Sequence, residues 1–113
     1  MMLDDILQAL RNISKDARIP RCRIGVAGSS AKGTMTDYSD IDIVLDIDSV
    51  SIDVMDFIKQ MIESVFHREA DILCMGLLRA EDEELDRFAM EIGLPVNPDS
   101  VYKNVCKEVI WSA

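Results

Sequence analysis

Two aspartates separated by a single residue, Asp40 and Asp42, are the first residues in this chain whose spacing suggests chemistry. They begin the segment 40–48, in which isoleucine and leucine alternate with polar residues, as is typical of a β-strand with one buried face. Side chains two apart in a strand project from the same face, about 6.6 Å apart along the chain. Because two carboxylates on one face repel each other, the pair indicates either a solvated face or a bound cation. The strand alone leaves both interpretations open.

The segment upstream of this strand favours the interpretation that the two carboxylates bind a cation. Residues 28–33 (GSSAKG) follow a short apolar strand and begin a turn, where backbone N–H groups gather to hold phosphate. Gly28 allows a sharp turn, Ser29 adds a hydroxyl group and Lys32 adds a positive charge. The two glycines also have the spacing of a Walker A phosphate loop. Thr34 stands where that loop requires lysine, so a Walker A loop is excluded.

A glycine-serine pair, ten intervening residues and then Asp40-x-Asp42 form a specific composite. It resembles the signature of the nucleotidyltransferase superfamily of DNA polymerase β. The fuller stretch, GSSAKG…SDIDIVL, is most similar to the minimal nucleotidyltransferase family, which consists of small single-domain proteins often encoded beside HEPN-domain toxins. The similarity covers residues 28–76 well. It extends to a later strand at 70–73 (ADIL) and to a closing strand at 107–111.

The resemblance implies a nucleotide site and a metal site. Gly28 and Ser29 would hold the β and γ phosphates of a nucleoside triphosphate, and Lys32 would add charge where relatives commonly have arginine. Asp40 and Asp42 would bind two Mg²⁺ ions that bridge those phosphates.

A third aspartate completes the implied set. Asp71, on the later strand, would bind one metal and deprotonate or orient the attacking hydroxyl group. Glu69 lies on the same predicted strand face and is a rival for this role. Two metals held by three carboxylates would clamp the attacking and leaving oxygens of a nucleotidyl transfer.

The implied activity is a Mg²⁺-dependent transfer of a nucleotide, AMP from ATP, to a hydroxyl group. The resemblance suggests that the acceptor is a partner protein such as a HEPN-type toxin, so that the chain would be an antitoxin acting by AMPylation. Two alternatives stay open. The chain could be a non-catalytic antitoxin that neutralises its partner by contact, or the catalytic subunit of a transferase that acts on small molecules.

Composition and charge limit the classes of protein to which the chain can belong. The chain has 113 residues, 12 Lys and Arg against 21 Asp and Glu, and a formal net charge of −9, which fits one domain over 1–113 and argues against direct nucleic-acid binding. No apolar run approaches the length of a membrane span, and the N-terminal residues do not resemble a signal peptide. We therefore expect a soluble cytoplasmic domain. Cys22, Cys74 and Cys106 are expected to be buried, and the single histidine, His67, to be structural or solvated.

Hydrophobic periodicity predicts an α/β (α+β) domain, in which helices pack on a small mixed sheet as in the palm-like fold of the polymerase β nucleotidyltransferases. Helices are predicted at 3–17, from a cap at Ser51 or Asp53 to 66, at 81–92 and from a cap at Asn97 to about 107. Strands are predicted at 21–28, 40–48, 69–75 and 109–111, with a short helical turn at 28–33.

The helix predicted at 81–92 carries two expectations. Its apolar residues, Leu85, Phe88, Ala89 and Ile92, are expected to face the core, and its acidic residues to occupy the first turn. The acidic run 81–86 is also the surface on which we expect a basic partner protein to dock.

Overall fold

A four-stranded mixed sheet organises the protein. The computed structural model describes residues 2–36 and 38–112. The elements in chain order are α1 (Met2–Ile13), β1 (Arg23–Ala27), α2 (Gly28–Lys32), β2 (Ile41–Asp46), α3 (Ile52–Phe66), β3 (Ala70–Cys74), α4 (Met75–Glu91), α5 (Val101–Glu108) and β4 (Ile110–Trp111). The strand order is β3-β2-β1-β4. β1 is antiparallel to β2 and β4, whereas β2 and β3 are parallel. The predicted α/β class is confirmed.

The main core lies between one face of the sheet and helices α1 and α3. The isoleucine-leucine alternation of β2 supplies the sheet side, with Ile41, Ile43 and Leu45 fully buried. Burial of side chains of this size stabilises the fold by about 1.5–3 kcal/mol each. The helices contribute buried residues at helical spacing: Ile6, Leu10, Ile13, Ile58 and Ile62.

The second face of the sheet is covered as well. Val44 of β2 and Ala27 of β1 are buried against Val105 of α5, and Leu73 and Trp111 pack around them. A fully solvated second face for β2 is therefore excluded. Both ends of β2 remain open on this side, with Asp42 half-buried at the beginning and Asp46 exposed at the end.

A helix side-chain pair covers the outer edge of β3. The β3 strand is at the edge of the sheet, and its first residue, Ala70, bonds to α3 through both backbone groups. Lys59 Nζ donates to the Ala70 carbonyl at 2.7 Å, and the Ala70 N–H donates to Glu63 Oε2 at 3.0 Å. The bond from the Ala70 N–H, followed by that from Lys59, lowers the pKa of Glu63.

Two predicted helix boundaries are wrong for local reasons. α1 ends at Ile13, four residues before the predicted end, because the Asp16 carboxylate bonds the backbone and guanidinium of Arg18 and holds a turn there. α5 begins at Val101 rather than after Asn97. The Asn97 side chain accepts from the Asp99 N–H in a turn, and Ser100 caps the helix by accepting from Lys103 N.

α4 differs most from its prediction. It begins at Met75, six residues early, because β3 runs directly into it, and the Gly76 N–H bonds the Ile47 carbonyl at 3.0 Å. The acidic run therefore lies in the middle of the helix rather than in its first turn. The expectation that its apolar residues face the core is also wrong for Leu85, Phe88 and Ile92, which are 65%, 59% and 53% exposed.

The buried side of α4 combines apolar residues, Met75 and Leu78, which pack against the second core, with acidic residues further along the helix. Asp82 is only 6% exposed, and Lys103 of α5 lies 3.7 Å from its carboxylate and 3.1 Å from that of Asp86. This interaction between α4 and α5 fixes which side of α4 faces the protein. A shared cation thus replaces the apolar contact that periodicity predicted.

The three cysteines and the single histidine differ in their exposure to solvent. Cys74 is buried as expected, whereas Cys22 is only half-buried and Cys106 is exposed. His67 is exposed and ends α3 in a left-handed conformation, φ 55°. Among the residues described, no helix has the length and apolar character needed to cross a membrane.

Gly25 provides a test of the sheet. A Cβ atom there would lie 2.6 Å from the Ile110 carbonyl and 2.9 Å from Trp111, so Gly25→Ala must displace β4. We expect a loss of about 1–3 kcal/mol in the free energy of unfolding. We also expect a changed emission of Trp111, the single tryptophan, measured by chemical denaturation with fluorescence detection.

Gly33→Ala is the matched control. Gly33 has φ 72°, but no atom of the described residues lies within 4 Å of its Cβ position. This variant is expected to lose about 1–2 kcal/mol through backbone strain while leaving the native Trp111 emission unchanged. Unchanged stability and emission in Gly25→Ala would contradict the close packing of β4 on β1.

Candidate functional site

Three neighbouring strands bring the predicted residues into one row. Ala27 ends β1 opposite Asp42 of β2, and Asp42 in turn lies opposite Asp71 of β3. Neighbouring strands are about 4.8 Å apart, so the two carboxylates are cross-strand neighbours. Gly28 follows Ala27 directly at the start of α2. Asp40 lies just ahead of β2 and is exposed.

Gly28 approaches Asp42 so closely that a side chain at this position would displace the Asp42 carboxylate. Its φ is 62°, a conformation that L residues rarely adopt, and a Cβ atom at this position would overlap Asp42 Oδ2. The sequence motif predicted a glycine that permits a sharp turn. The structure adds that the missing side chain makes room for a carboxylate.

α2 is a single short turn of five residues. Ser29 is half-buried on it, whereas Ser30 is 2% exposed, and its hydroxyl has no hydrogen-bond partner among the described residues. Lys32 ends the turn, exposed, with its Nζ 2.8 Å from Glu108 Oε1 of α5. α2 is therefore connected to α5 through an ion pair.

A cavity of about 470 Å³ opens beside this row. The sheet side contributes Gly28, Asp42 and Asp71, together with Ala27, Ile72 and Leu73. The opposite wall is one face of α5, formed by Val101, Asn104, Val105 and Glu108. Lys32 reaches this cavity only through Glu108, and neither Asp40 nor Ser29 forms part of its lining. Glu69, the rival carboxylate, is exposed ahead of β3 and also lies outside the lining.

Sequence reasoning missed the α5 wall. Asn104 and Glu108 are polar residues at helical spacing on the same side as the buried Val105. A polar pair on the apolar side of an amphipathic helix was the available signal. It could not identify what the pair faces, because the facing residues are more than 30 positions away in the sequence.

A larger groove of about 540 Å³ lies between α1 and α3. Its lining is mainly apolar and includes Phe57, Ile62 and Phe66, together with Asp5 and Asp16. It contains none of the residues that the motif singled out. The smaller cavity is the better candidate, because chemistry needs convergent polar groups rather than volume.

The carboxylates at the cavity carry uncompensated charge. Burial, then Asp71 and then Asp40, raises the pKa of Asp42 above its ordinary value. None of these three carboxylates has a side-chain hydrogen bond or an ion pair within residues 2–36 and 38–112. Over the same residues, no three His, Cys, Asp or Glu side chains are close enough together to form a metal site as the side chains stand.

The comparisons with known proteins agree with this geometry. The model of the nucleotidyltransferase domain family matches residues 3–96, so the chain belongs to that family, whose polymerase β-like fold its mixed sheet and helices share. The resemblance to the minimal nucleotidyltransferases is consistent with this assignment.

Among solved structures, the chain is similar to one chain of a crystal structure of a toxin-antitoxin with AMP-PNP. The TM-score is 0.60 at 19% identity, over 100% of this chain and 73% of that one. No curated protein matches.

Asp42→Asn tests the uncompensated charge. With a chelator present, this variant is expected to be more stable than the wild type at neutral pH, by about 0.2–1 kcal/mol, because a repulsion across adjacent strands disappears. The raised pKa of Asp42 means that ionisation costs the folded state stability. That cost disappears as the pH falls through the raised pKa, so the advantage of the variant must shrink towards acid pH. Urea denaturation at several pH values measures it.

Asp56→Asn is the control, because Asp56 is exposed on α3 and forms no ion pair with another described residue. It is expected to change stability by less than about 0.5 kcal/mol. A destabilised Asp42→Asn protein would mean that the Asp42 carboxylate has a compensating partner.

Proposed function

We propose that the chain is a Mg²⁺-dependent nucleotidyltransferase that transfers AMP from ATP to a hydroxyl group of a partner protein. The observation that carries this proposal is the row formed by Gly28, Asp42 and Asp71 at one cavity. The family assignment supports nucleotidyl transfer in general. The metal, the nucleotide and the acceptor belong to the proposal.

The donor chemistry fits Mg²⁺. Asp42 and Asp71 offer carboxylate oxygens at one cavity that form no hydrogen bond or ion pair with a described side chain, and Asp40 contributes charge to the same site, as its effect on the pKa of Asp42 indicates. Hard oxygen ligands of this kind suit Mg²⁺. When bound, Mg²⁺ supplies positive charge that neutralises the triphosphate and activates the phosphorus for attack.

Asp71 is the residue placed to handle the proton. It lines the cavity at the edge strand of the sheet, where an acceptor can approach from solvent. As the acceptor oxygen bonds to the α-phosphorus, the bond from that phosphorus to the bridging oxygen of pyrophosphate breaks. Asp71 takes the hydroxyl proton, and pyrophosphate leaves with the electron pair.

Gly28, Ser29 and Lys32 are proposed to hold the phosphates. Without a side chain, Gly28 leaves its backbone accessible beside Asp42. Ser29 supplies a hydroxyl donor on the same short turn. Lys32 supplies a point charge whose position is set by Glu108 on the cavity wall.

The partner protein is the least direct part of the proposal. Its support is the similarity to a chain from a toxin-antitoxin complex that holds AMP-PNP, together with the resemblance to proteins encoded beside HEPN-type toxins. On this view the chain is an antitoxin that modifies a toxin hydroxyl group in the cytoplasm.

The transfer assay uses labelled ATP, Mg²⁺ and the product of the gene that neighbours the gene of this chain. We expect the partner to be labelled and Asp42→Ala to lower the rate at least about 100-fold, because it removes a metal ligand. Asp48→Ala is the control. Asp48 lies just beyond the other end of β2, 92% exposed and paired with Arg79, and its loss should leave the rate within about twofold.

Two outcomes would contradict the proposal, one for the catalytic role of the row and one for transfer itself. Equal labelling by the wild type and Asp42→Ala would exclude a catalytic role for the row. If instead no label is transferred, and Asp42→Ala still protects cells from the toxin, the chain neutralises its partner by contact.

Lys32→Met tests the phosphate contact with little change in side-chain volume. We expect the KM for ATP to rise about tenfold with kcat nearly unchanged, because the lost charge acts on bound substrate and transition state alike. Lys15→Met, an exposed lysine beyond α1, should change neither constant.

The double variant Lys32→Met/Glu108→Gln separates two causes. If the effect came only from the uncovered Glu108 charge, the double variant would recover the wild-type KM. A fall in kcat at constant KM in Lys32→Met would instead place the lysine charge on the transition state.

A further inference from the structure

An apolar stripe on α4 points away from the rest of the protein. Leu85, Phe88 and Ile92 are more than half exposed and are spaced i, i+3 and i+7, which places them on one side of the helix. The chain beyond α4 continues the exposed apolar surface with Leu94 and Val96, 58% and 42% exposed. Contiguous apolar surface of this kind on a folded domain marks a contact with another molecule.

The stripe is held outward. The side of α4 that faces α5 is fixed by Lys103, which binds the buried Asp82 and its neighbour Asp86. Rotating α4 to bury the stripe would expose the apolar surface under α4 and leave the Lys103 ammonium without its carboxylates. The exposed stripe is therefore a stable property of this fold.

Acidic residues border the stripe. Glu84 and Glu91 lie four residues before and three residues after Phe88, and Glu81 lies four residues before Leu85, so all three are neighbours of the stripe on the helix surface. All three are exposed, and none forms an ion pair with another described residue. A second copy docking through the same stripe would bring acid against acid, which disfavours self-association.

We propose that α4 is the docking surface for an amphipathic, basic helix of the partner protein. The α4 surface is defined by Leu85, Phe88 and Ile92 with the bordering Glu81, Glu84 and Glu91. Its apolar stripe takes the leucine-like anchors of such a helix, and its glutamates pair with lysines or arginines beside those anchors. For the identity of the partner as the acceptor protein, this inference rests on the proposed function.

α5 connects the α4 surface to the cavity. Lys103 of α5 binds α4, while Asn104, Val105 and Glu108 of the same helix form the cavity wall. A partner held on α4 therefore lies one helix away from the phosphates.

The first test measures binding alone, without ATP or Mg²⁺. The probe is a labelled helical peptide of leucine and lysine, about 18 residues long, with leucines at i, i+3, i+4 and i+7. A scrambled peptide of the same composition controls for general attraction to an acidic protein. The full chain is expected to bind the patterned peptide at least tenfold more tightly than the scrambled one, as measured by fluorescence anisotropy.

Variants locate the binding. Leu85→Ser/Phe88→Ser, and separately Glu84→Lys/Glu91→Lys, are each expected to weaken binding of the patterned peptide at least tenfold. Ile52→Ser/Val65→Ser is the matched control, because these α3 residues are 75% and 54% exposed and lie outside the α4 surface. Circular dichroism must give the same folded signal for all variants, as expected for substitutions of exposed residues.

Two results would overturn the proposal. One is equal binding of the peptide by the wild type and the Leu85→Ser/Phe88→Ser variant. The other is a wild-type dimer in sedimentation that becomes a monomer in this variant, which would assign the surface to a second copy.

The transfer assay separates this inference from the proposed function. If docking holds, Leu85→Ser/Phe88→Ser lowers labelling of the partner at least tenfold while ATP binding stays unchanged. If no variant transfers label and the peptide still depends on the α4 surface, the docking surface stands and the proposed function fails.

Discussion

The register of β2 is the constraint on which the site depends. β2 pairs with β1 on one side and β3 on the other, and the two ladders together set Ala27, Asp42 and Asp71 in one row. A slip of one residue would turn Asp42 towards α1 and α3 and Ile43 towards α5. Burial of Ile43 and its neighbours therefore holds the carboxylates in place. The register of β2 therefore determines both the packing of the core on one face of the sheet and the geometry of the site on the other.

The acidic residues of this protein fall into two groups with different surroundings. Asp46 is paired with Arg23 and Asp48 with Arg79, both at the far end of β2 or just beyond it. At the cavity end, Asp40, Asp42 and Asp71 form no ion pair with another described residue, and burial, followed by the charges of Asp71 and Asp40, raises the pKa of Asp42. The protein's own arginines thus neutralise the aspartates at the far end of β2, whereas a bound ligand would have to neutralise those at the cavity. The net charge of −9 alone could not distinguish these groups.

Sequence patterns correctly predicted the elements that depend only on residues a few positions away. The strict alternation in β2 and the Ser51 cap of α3 are confirmed, because periodicity and capping act within a few residues. The motif likewise located Gly28, Asp42 and Asp71 before their contacts were known. These residues occupy positions fixed by the ends of short strands.

The features that the sequence did not predict depend on residues that are far away along the chain. The periodicity of α4 predicted a buried apolar face, but the side of the helix that faces the protein is set by Lys103, 17 residues beyond Asp86. An acidic face becomes the buried one only when such a cation is present. Asn104 and Glu108 were missed for the same reason, since their role depends on residues of a different part of the sheet.

The Lys59–Glu63 pair on α3 has a consequence for how the protein meets other chains. Sheet edges present free backbone groups that invite a further strand, and β3 is such an edge. By bonding both backbone groups of Ala70, the pair removes the first rung on which an added strand could form. Lysine precedes glutamate here, the less favourable order for helix stability alone, which fits a function at the strand rather than in the helix. The protein thereby protects the strand that carries Asp71 from aggregation by strand addition.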